Sequence, residues 1–366
     1  MDFANPFNGK PTKLNLSGLF LLDPTVITKL SGHPMSALLK EALGEALAKR
    51  FDRAMRSDAA SPELLSALKR RLSETQADFF KKIWHAAEGD AVAAQEVEAF
   101  GPWTSFFLSF RAPLAYSCEY RLALERAARV ALAAYGRGDY GSCVGHLREE
   151  VLYEPVLWSN AMRTLEHASG IDEGIAIRFA VAMEVELSCL AALDIQLCVD
   201  ESAGDSMFSA LLPKDTRQTS NPLAMLFRWL KSTTGLSSLA EIDTKLSIAD
   251  KPIHPVTLSK WSRGTQVPKP AWLKLFITLC PNEVDRKRVE RMYWAATLLN
   301  FLGYYSAMFI KDARSRASVA SNGSAPTSGH IQLWSHFPYE HQTFSEWTRE
   351  RYPFWLAYHR ARIAAR

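Results

Sequence analysis

The sequence predicts an all-α protein, on three observations. Apolar residues recur three and four positions apart through most of the 366 residues, the spacing of one helix face. No run of alternating β-branched residues bounded by turn signals is present, so a substantial sheet is not expected. The composition, 48% apolar and 22% charged, is that of an ordinary globular chain and excludes wholesale disorder and collagen-like structure.

The elements follow in chain order. Over residues 34–57, Leu38, Leu39, Ala42, Leu43, Ala46 and Leu47 form an apolar face behind Pro34. Ser61-Pro62-Glu63 supplies a cap, a first-turn proline and an early acid for a helix reaching Ala87. Glu88-Gly89-Asp90 breaks it, and Asp90 is placed to cap a short helix before Gly101-Pro102. Residues 117–135, 142–168 and 172–199 are three further helical stretches rich in Ala, Leu and Glu. Gly136-Arg137-Gly138-Asp139-Tyr140-Gly141 has the spacing of a dinucleotide-binding loop. That chemistry needs a preceding strand, and the preceding residues read as helix, so a helix end and turn are expected. Glu201–Asn221 is a polar connector.

Charge changes sign across that connector. Residues 1–210 hold 21 Lys/Arg against 28 Asp/Glu, and residues 211–366 hold 22 against 11. The chain thus divides into an acidic helical domain (1–210), a basic unit (211–282), a long apolar helix (283–313), a flexible linker (314–330) rich in Ser and Gly, and a basic, aromatic helical tail (331–366). Cys118, Cys143, Cys189, Cys198 and Cys280 are scattered and odd in number, which reads as reduced thiols in a cytoplasmic protein. No secretory leader is expected from Met1–Pro6.

Met292–Ile310 carries no charge and is about the length of a bilayer span. Its Thr, Asn, Gly, Ser and Tyr residues weaken that reading. Val289, Met292, Ala296, Leu299, Gly303, Ser306 and Ile310 form one stripe, and Ala295, Leu298, Leu302, Tyr305 and Phe309 another. Two stripes imply burial on both sides. Small residues at Ala296, Gly303 and Ser306 suggest close approach of a second helix, and a homodimer contact is expected here, with a membrane span and burial entirely against the chain's own N-terminal domain as the competing readings.

Residues 222–281 carry the most chemistry. Leu223–Lys231 reads as a helix, Ser237-Ser238-Leu239-Ala240-Glu241-Ile242 opens a second, and Pro255–Gly264 is a short third closed by glycine. Pro268-Lys269-Pro270 starts a fourth, ending near Cys280. In the third helix Leu258 and Trp261 are three apart and face inward. Thr257, Lys260 and Arg263 also step by three on another face. Hydroxyls and cations on a short helix suit the bases and phosphates of a major groove.

The string Thr-Leu-Ser-Lys-Trp-Ser-Arg-Gly-Thr-Gln-Val-Pro resembles the recognition-helix end of lambda-repressor-like (Cro/CI, XRE) helix-turn-helix domains. Leu239-Ala240 resembles the opening of that family's second helix. The resemblance covers roughly residues 222–281 and implies that Val256, Thr257, Ser259 and Lys260 face DNA, with Leu258 and Trp261 buried. Arg263, Lys251, His254 and Lys269 complete the candidate DNA-binding set. One departure is plain: Ser247–His254 adds about eight residues where the family has a tight turn, with Pro252 and Pro255 preventing simple helix continuation.

Other motifs are weaker. Cys143 and His146 have half of a metal-site spacing with no second pair, so no metal is expected. Arg163-Thr164-Leu165-Glu166-His167 is faintly similar to the Arg-x-His core of helical HEPN ribonucleases, with fewer intervening residues. Glu149, Glu150 and Glu154, or Glu184 and Glu186, offer carboxylate pairs, but nothing beside them supplies a nucleophile, and solvated helix faces are expected. In Phe344–Arg366, Trp347, Tyr352, Phe354, Trp355 and Tyr358 alternate with Arg349, Arg351, Arg360, Arg362 and Arg366. Docking of the aromatics with wet arginines is preferred there over base stacking.

The expectation is a cytoplasmic regulator binding double-stranded DNA, without cofactor or catalytic residues. Its N-terminal domain would bind a protein partner or sense a ligand. The alternatives are a helical interaction scaffold whose helix-turn-helix does not bind DNA, and a helical nuclease of HEPN-like type.

Overall fold

A computed structural model describes residues 3–4, 44–57, 62–64, 66–67, 90, 92, 116–117, 120, 124, 128, 130–131, 133–135, 137–149, 152, 155, 171–200, 206–212, 221–236, 238, 241, 253–320 and 343–365. Among them every regular element is a helix, and the fold is all-α. Residues 24–115 form one compact unit; residues 1–23 and 116–366 form another. The connector at Glu201–Asn221 therefore lies inside the larger unit.

In the smaller unit, α1 spans Glu45–Ser57. Gly44, at φ 77°, supplies the left-handed turn that precedes it. Pro62–Leu64 is helical, and Asp90 accepts the Val92 N–H at 2.9 Å, the cap expected of it.

In the larger unit the described residues between 116 and 135 are helical, and Tyr116, Tyr120, Leu124, Ala128, Ala131 and Ala134 share one buried stripe. The chain turns at Gly138 (φ 75°), and Asp139 caps α2, Tyr140–Glu149, by accepting the Ser142 N–H at 3.0 Å. The glycine-rich string is thus a turn between helices. α2 is shorter than the 142–168 stretch expected: Leu152 and Pro155 lie in turns, since a proline ring excludes the helix interior.

α3, Ile171–Asp200, is buried on nearly every side from Phe179 to Cys198. A 3₁₀ turn, Phe208–Leu211, leads to α4, Pro222–Thr234. Then come α5, Pro255–Ser262; α6, Pro270–Leu279; α7, Glu283–Ala320; and α8, Phe344–Ala364. α8 packs on α3, while α7 packs on α4, α6 and the 3₁₀ turn. Thr343 and Glu346 close a reciprocal capping box at the start of α8.

α7 differs from expectation in two ways. It runs to Ala320, seven residues into the segment read as a linker, because Arg314–Ala320 contains neither glycine nor proline. Most described positions of its two stripes are also buried within the chain. Val289, Met292, Ala296, Leu299, Gly303 and Ser306 are buried, as are Ala295, Leu302 and Tyr305. The Phe3 ring lies against Gly303, where a Cβ would come within 2.2 Å of it. Asn300 donates to the Ala4 carbonyl (2.8 Å) and accepts its N–H (3.1 Å). At Gly303 the space left by the missing side chain is filled by the chain's own Phe3 ring. No described helix is long and apolar enough to cross a membrane.

Candidate nucleic-acid interface

α4, α5 and α6 each begin with proline at the first helical position, where the missing N–H costs nothing. Asn221 caps α4 by accepting the Ala224 N–H (3.0 Å), and its amide donates to the Gly264 carbonyl (2.7 Å). One side chain therefore ties the start of α4 to the end of α5. Gly264 has φ 68°, and a Cβ there would lie 1.8 Å from Asn221 Oδ1. Two constraints thus require glycine. Gly235 (φ 66°) ends α4, and Ser238 accepts the Glu241 N–H at 3.4 Å, opening the next helical turn.

The inner edge of α5 is closed by aromatics. Trp261, 1% exposed, stacks on Phe227 (6.2 Å) and meets Trp272 (5.6 Å) and Phe276 (5.9 Å) edge-on, beside buried Leu258. The expected inward pair is in place. Tyr293 of α7 donates to the Pro268 carbonyl at 2.7 Å and anchors the loop into α6.

On the outer edge, Val256 is 52% exposed, and Lys260 and Arg263 are exposed. Steps of four and three set these three in one row. Thr257 and Ser259 flank it half-buried, and the Ser259 carbonyl accepts from Arg263 Nε (3.2 Å). His254 is exposed and caps α5, its Nδ1 accepting the Val256 N–H (3.2 Å). Lys269 is exposed at the start of α6. Lys251 and most of the added Ser247–His254 segment lie outside the described residues, as do Arg163, Glu166 and His167.

A second convergence of functional groups, between α3 and α8, escaped the sequence reading. Glu184 is fully buried. It accepts the indole N–H of Trp347 (2.6 Å) and of Trp355 (2.8 Å), and Arg351 Nε closes a salt bridge to it. Arg351 also donates to the Pro155 carbonyl at 2.9 Å. Asp194 accepts from Ser206 Oγ, the Met207 and Phe208 N–H groups and Tyr352 Oη (2.7 Å), joining the 3₁₀ turn to α8. Burial pushes its carboxyl above the ordinary range.

His359 Nε2 lies 3.0 Å from the Ser188 carbonyl, which can only accept, so Nε2 carries the proton. Nδ1 then accepts from Tyr116 Oη at 2.6 Å. Burial holds this imidazole down to about 3 from its ordinary 6.5, so it is neutral. Tyr120 hydrogen-bonds Ser188 Oγ at 2.8 Å.

Two expectations are corrected here. Glu184 and Glu186 are buried, not solvated, and Arg351 is 2% exposed, not wet. Trp347, Tyr352 and Trp355 do dock, while Phe354 stays 37% exposed. The i, i+4, i+8 spacing of Trp347, Arg351 and Trp355 was a visible signal, but their common acceptor lies 163 or more residues away. The acceptor oxygens of Glu184 and Asp194 are occupied by the protein's own donors, so this cluster joins helices.

No family model, curated protein or solved structure matches this chain. The α5 row, by contrast, is outward-facing and open to a ligand. Among the described residues no group of three or more His, Cys, Asp or Glu is placed to hold a metal ion.

Proposed function

We propose that the chain binds double-stranded DNA by laying α5 in the major groove, in the manner of the Cro/CI-like domains that residues 222–281 resemble, and that it acts as a transcriptional regulator. One observation carries the reading. Val256, Lys260 and Arg263 form an exposed row on a short helix whose opposite edge is locked into an aromatic core. Such a helix presents its outer side chains at fixed positions, as direct readout requires. Lys269 and the basic excess of residues 211–366 add phosphate attraction.

Paired half-sites favour a homodimer, formed through a surface other than the covered α7 rows. The buried cysteines Cys143, Cys198 and Cys280 suit a reducing, cytoplasmic setting. The acidic residues 1–210 are assigned to a protein partner or a sensing role.

A mobility-shift titration of the full chain against mixed-sequence duplex DNA at several salt concentrations tests this. Binding that weakens steeply with salt, and weakens further in Lys260→Ala and Arg263→Ala, is the expected result. Absence of any salt-dependent binding by the folded chain returns the helix-turn-helix to the role of an interaction scaffold.

A further inference from the structure

The leading edge of α5 has an unusual chemistry for a groove-reading helix. Pro255 has no N–H to donate. The Val256 N–H is already taken by His254 Nδ1 at 3.2 Å. What remains at the first exposed position of the row is the isopropyl group of Val256, 52% exposed. A β-branched side chain in a helix has one strongly preferred rotamer, so its two methyl groups hold a fixed direction. Within the helix the first polar side chain is Thr257 and the first cation Lys260, while the exposed His254 imidazole precedes Pro255.

An isolated exposed valine is ordinary on a protein surface and by itself signals nothing. This one shares a helix face with Lys260 and Arg263 and lies at its N-terminal end, the end that approaches base edges when a recognition helix docks. Arg263, a turn and more away, then points toward the phosphate rim. In the major groove most base-edge features are hydrogen-bond donors or acceptors, and the C5-methyl group of a pyrimidine is the largest apolar one. A side chain with only methyl groups to offer gains most by packing on it.

Resting on the DNA-binding reading above, we infer that Val256 is a specificity-determining residue that packs against the C5-methyl group of a pyrimidine. That methyl group has two sources, thymine and 5-methylcytosine. Lys260 and Arg263 supply affinity; Val256 supplies a preference for methylated pyrimidine at one position of the site.

The test uses the full chain and a random-sequence duplex library in three forms: with thymidine, with deoxyuridine in its place, and with deoxyuridine plus 5-methyldeoxycytidine. Enriched thymidine duplexes should lose roughly fourfold in affinity when rebuilt with deoxyuridine, the worth of one buried methyl group. Val256→Ala should erase that difference while keeping the salt slope and the thermal unfolding of the parent protein. Enrichment restored only by 5-methyldeoxycytidine identifies methylated cytosine as the source and supports the same contact. Equal affinity for thymidine and deoxyuridine duplexes, with no response to 5-methyldeoxycytidine, overturns the inference while leaving DNA binding intact. If no duplex is retained in a salt-dependent way, the DNA-binding reading fails and takes this inference with it.

Discussion

Gly264 shows how a single missing methyl group can settle a junction. The left-handed backbone and the Asn221 side chain pressed against its Cα both exclude a Cβ. Gly264→Ala should therefore cost about 2–4 kcal/mol, from left-handed strain plus the displaced Asn221 hydrogen bonds, read as a fall in the urea midpoint. Trp261→Ala removes the centre of the aromatic core and should cost about 3–5 kcal/mol in the same measurement. His359 makes stability depend on pH. In the unfolded chain an imidazole takes its proton near 6.5; in the folded chain it does so only near 3. Acidification between those values protonates the unfolded chain first, so stability is complete above about 6.5 and is lost as pH falls toward 3. The stability advantage of the wild type over His359→Gln should be constant above about pH 7 and shrink by pH 4, in paired denaturant titrations. An advantage that grows on acidification refutes this account. Trp261 was legible from its spacing to Leu258, because a core anchor declares itself on its own helix. Glu184 was not, because periodicity assigns a residue to a face and cannot tell whether the facing helix supplies donors.

At the scale of elements, α3 and α8 are joined by ionisable groups as well as by apolar contact. Removing one partner leaves a buried charge without compensation. Arg351→Met alone should cost about 3–5 kcal/mol, and the double change Glu184→Gln with Arg351→Met should recover much of that loss. A double-mutant cycle in urea measures the coupling, and strict additivity would refute the direct link. Helix existence was well legible: the 172–199 stretch appears as Ile171–Asp200, and the prolines at 255 and 270 open helices as read. Ends were less so. The Arg314–Ala320 overrun shows that Ser and Arg read as linker continue a helix when nothing in the local sequence breaks it. Pro353 lies inside α8, exposed on its outer face, without ending the helix.

For the whole molecule, the change from acidic to basic charge does not mark a break in packing. Residues on both sides of it belong to one compact unit. The charge pattern was legible because it needs only counting; the grouping depends on contacts between distant segments, which local patterns do not encode. If the basic half meets DNA phosphates, Lys260→Ala and Arg263→Ala should each lower the slope of log affinity against log salt by about 1. Unchanged slopes in both would place the phosphate contacts elsewhere. The union of α3 with α8 also has a bearing on how the protein is made. Arg351 follows Glu184 by 167 residues and Tyr352 follows Asp194 by 158. At about 5–20 residues per second, α3 leaves the ribosome roughly 10–30 s before its partners exist. Throughout that interval the nascent chain exposes an apolar helix studded with carboxylates that will later be sealed from water. The same carboxylates then become the anchors that α8 closes upon.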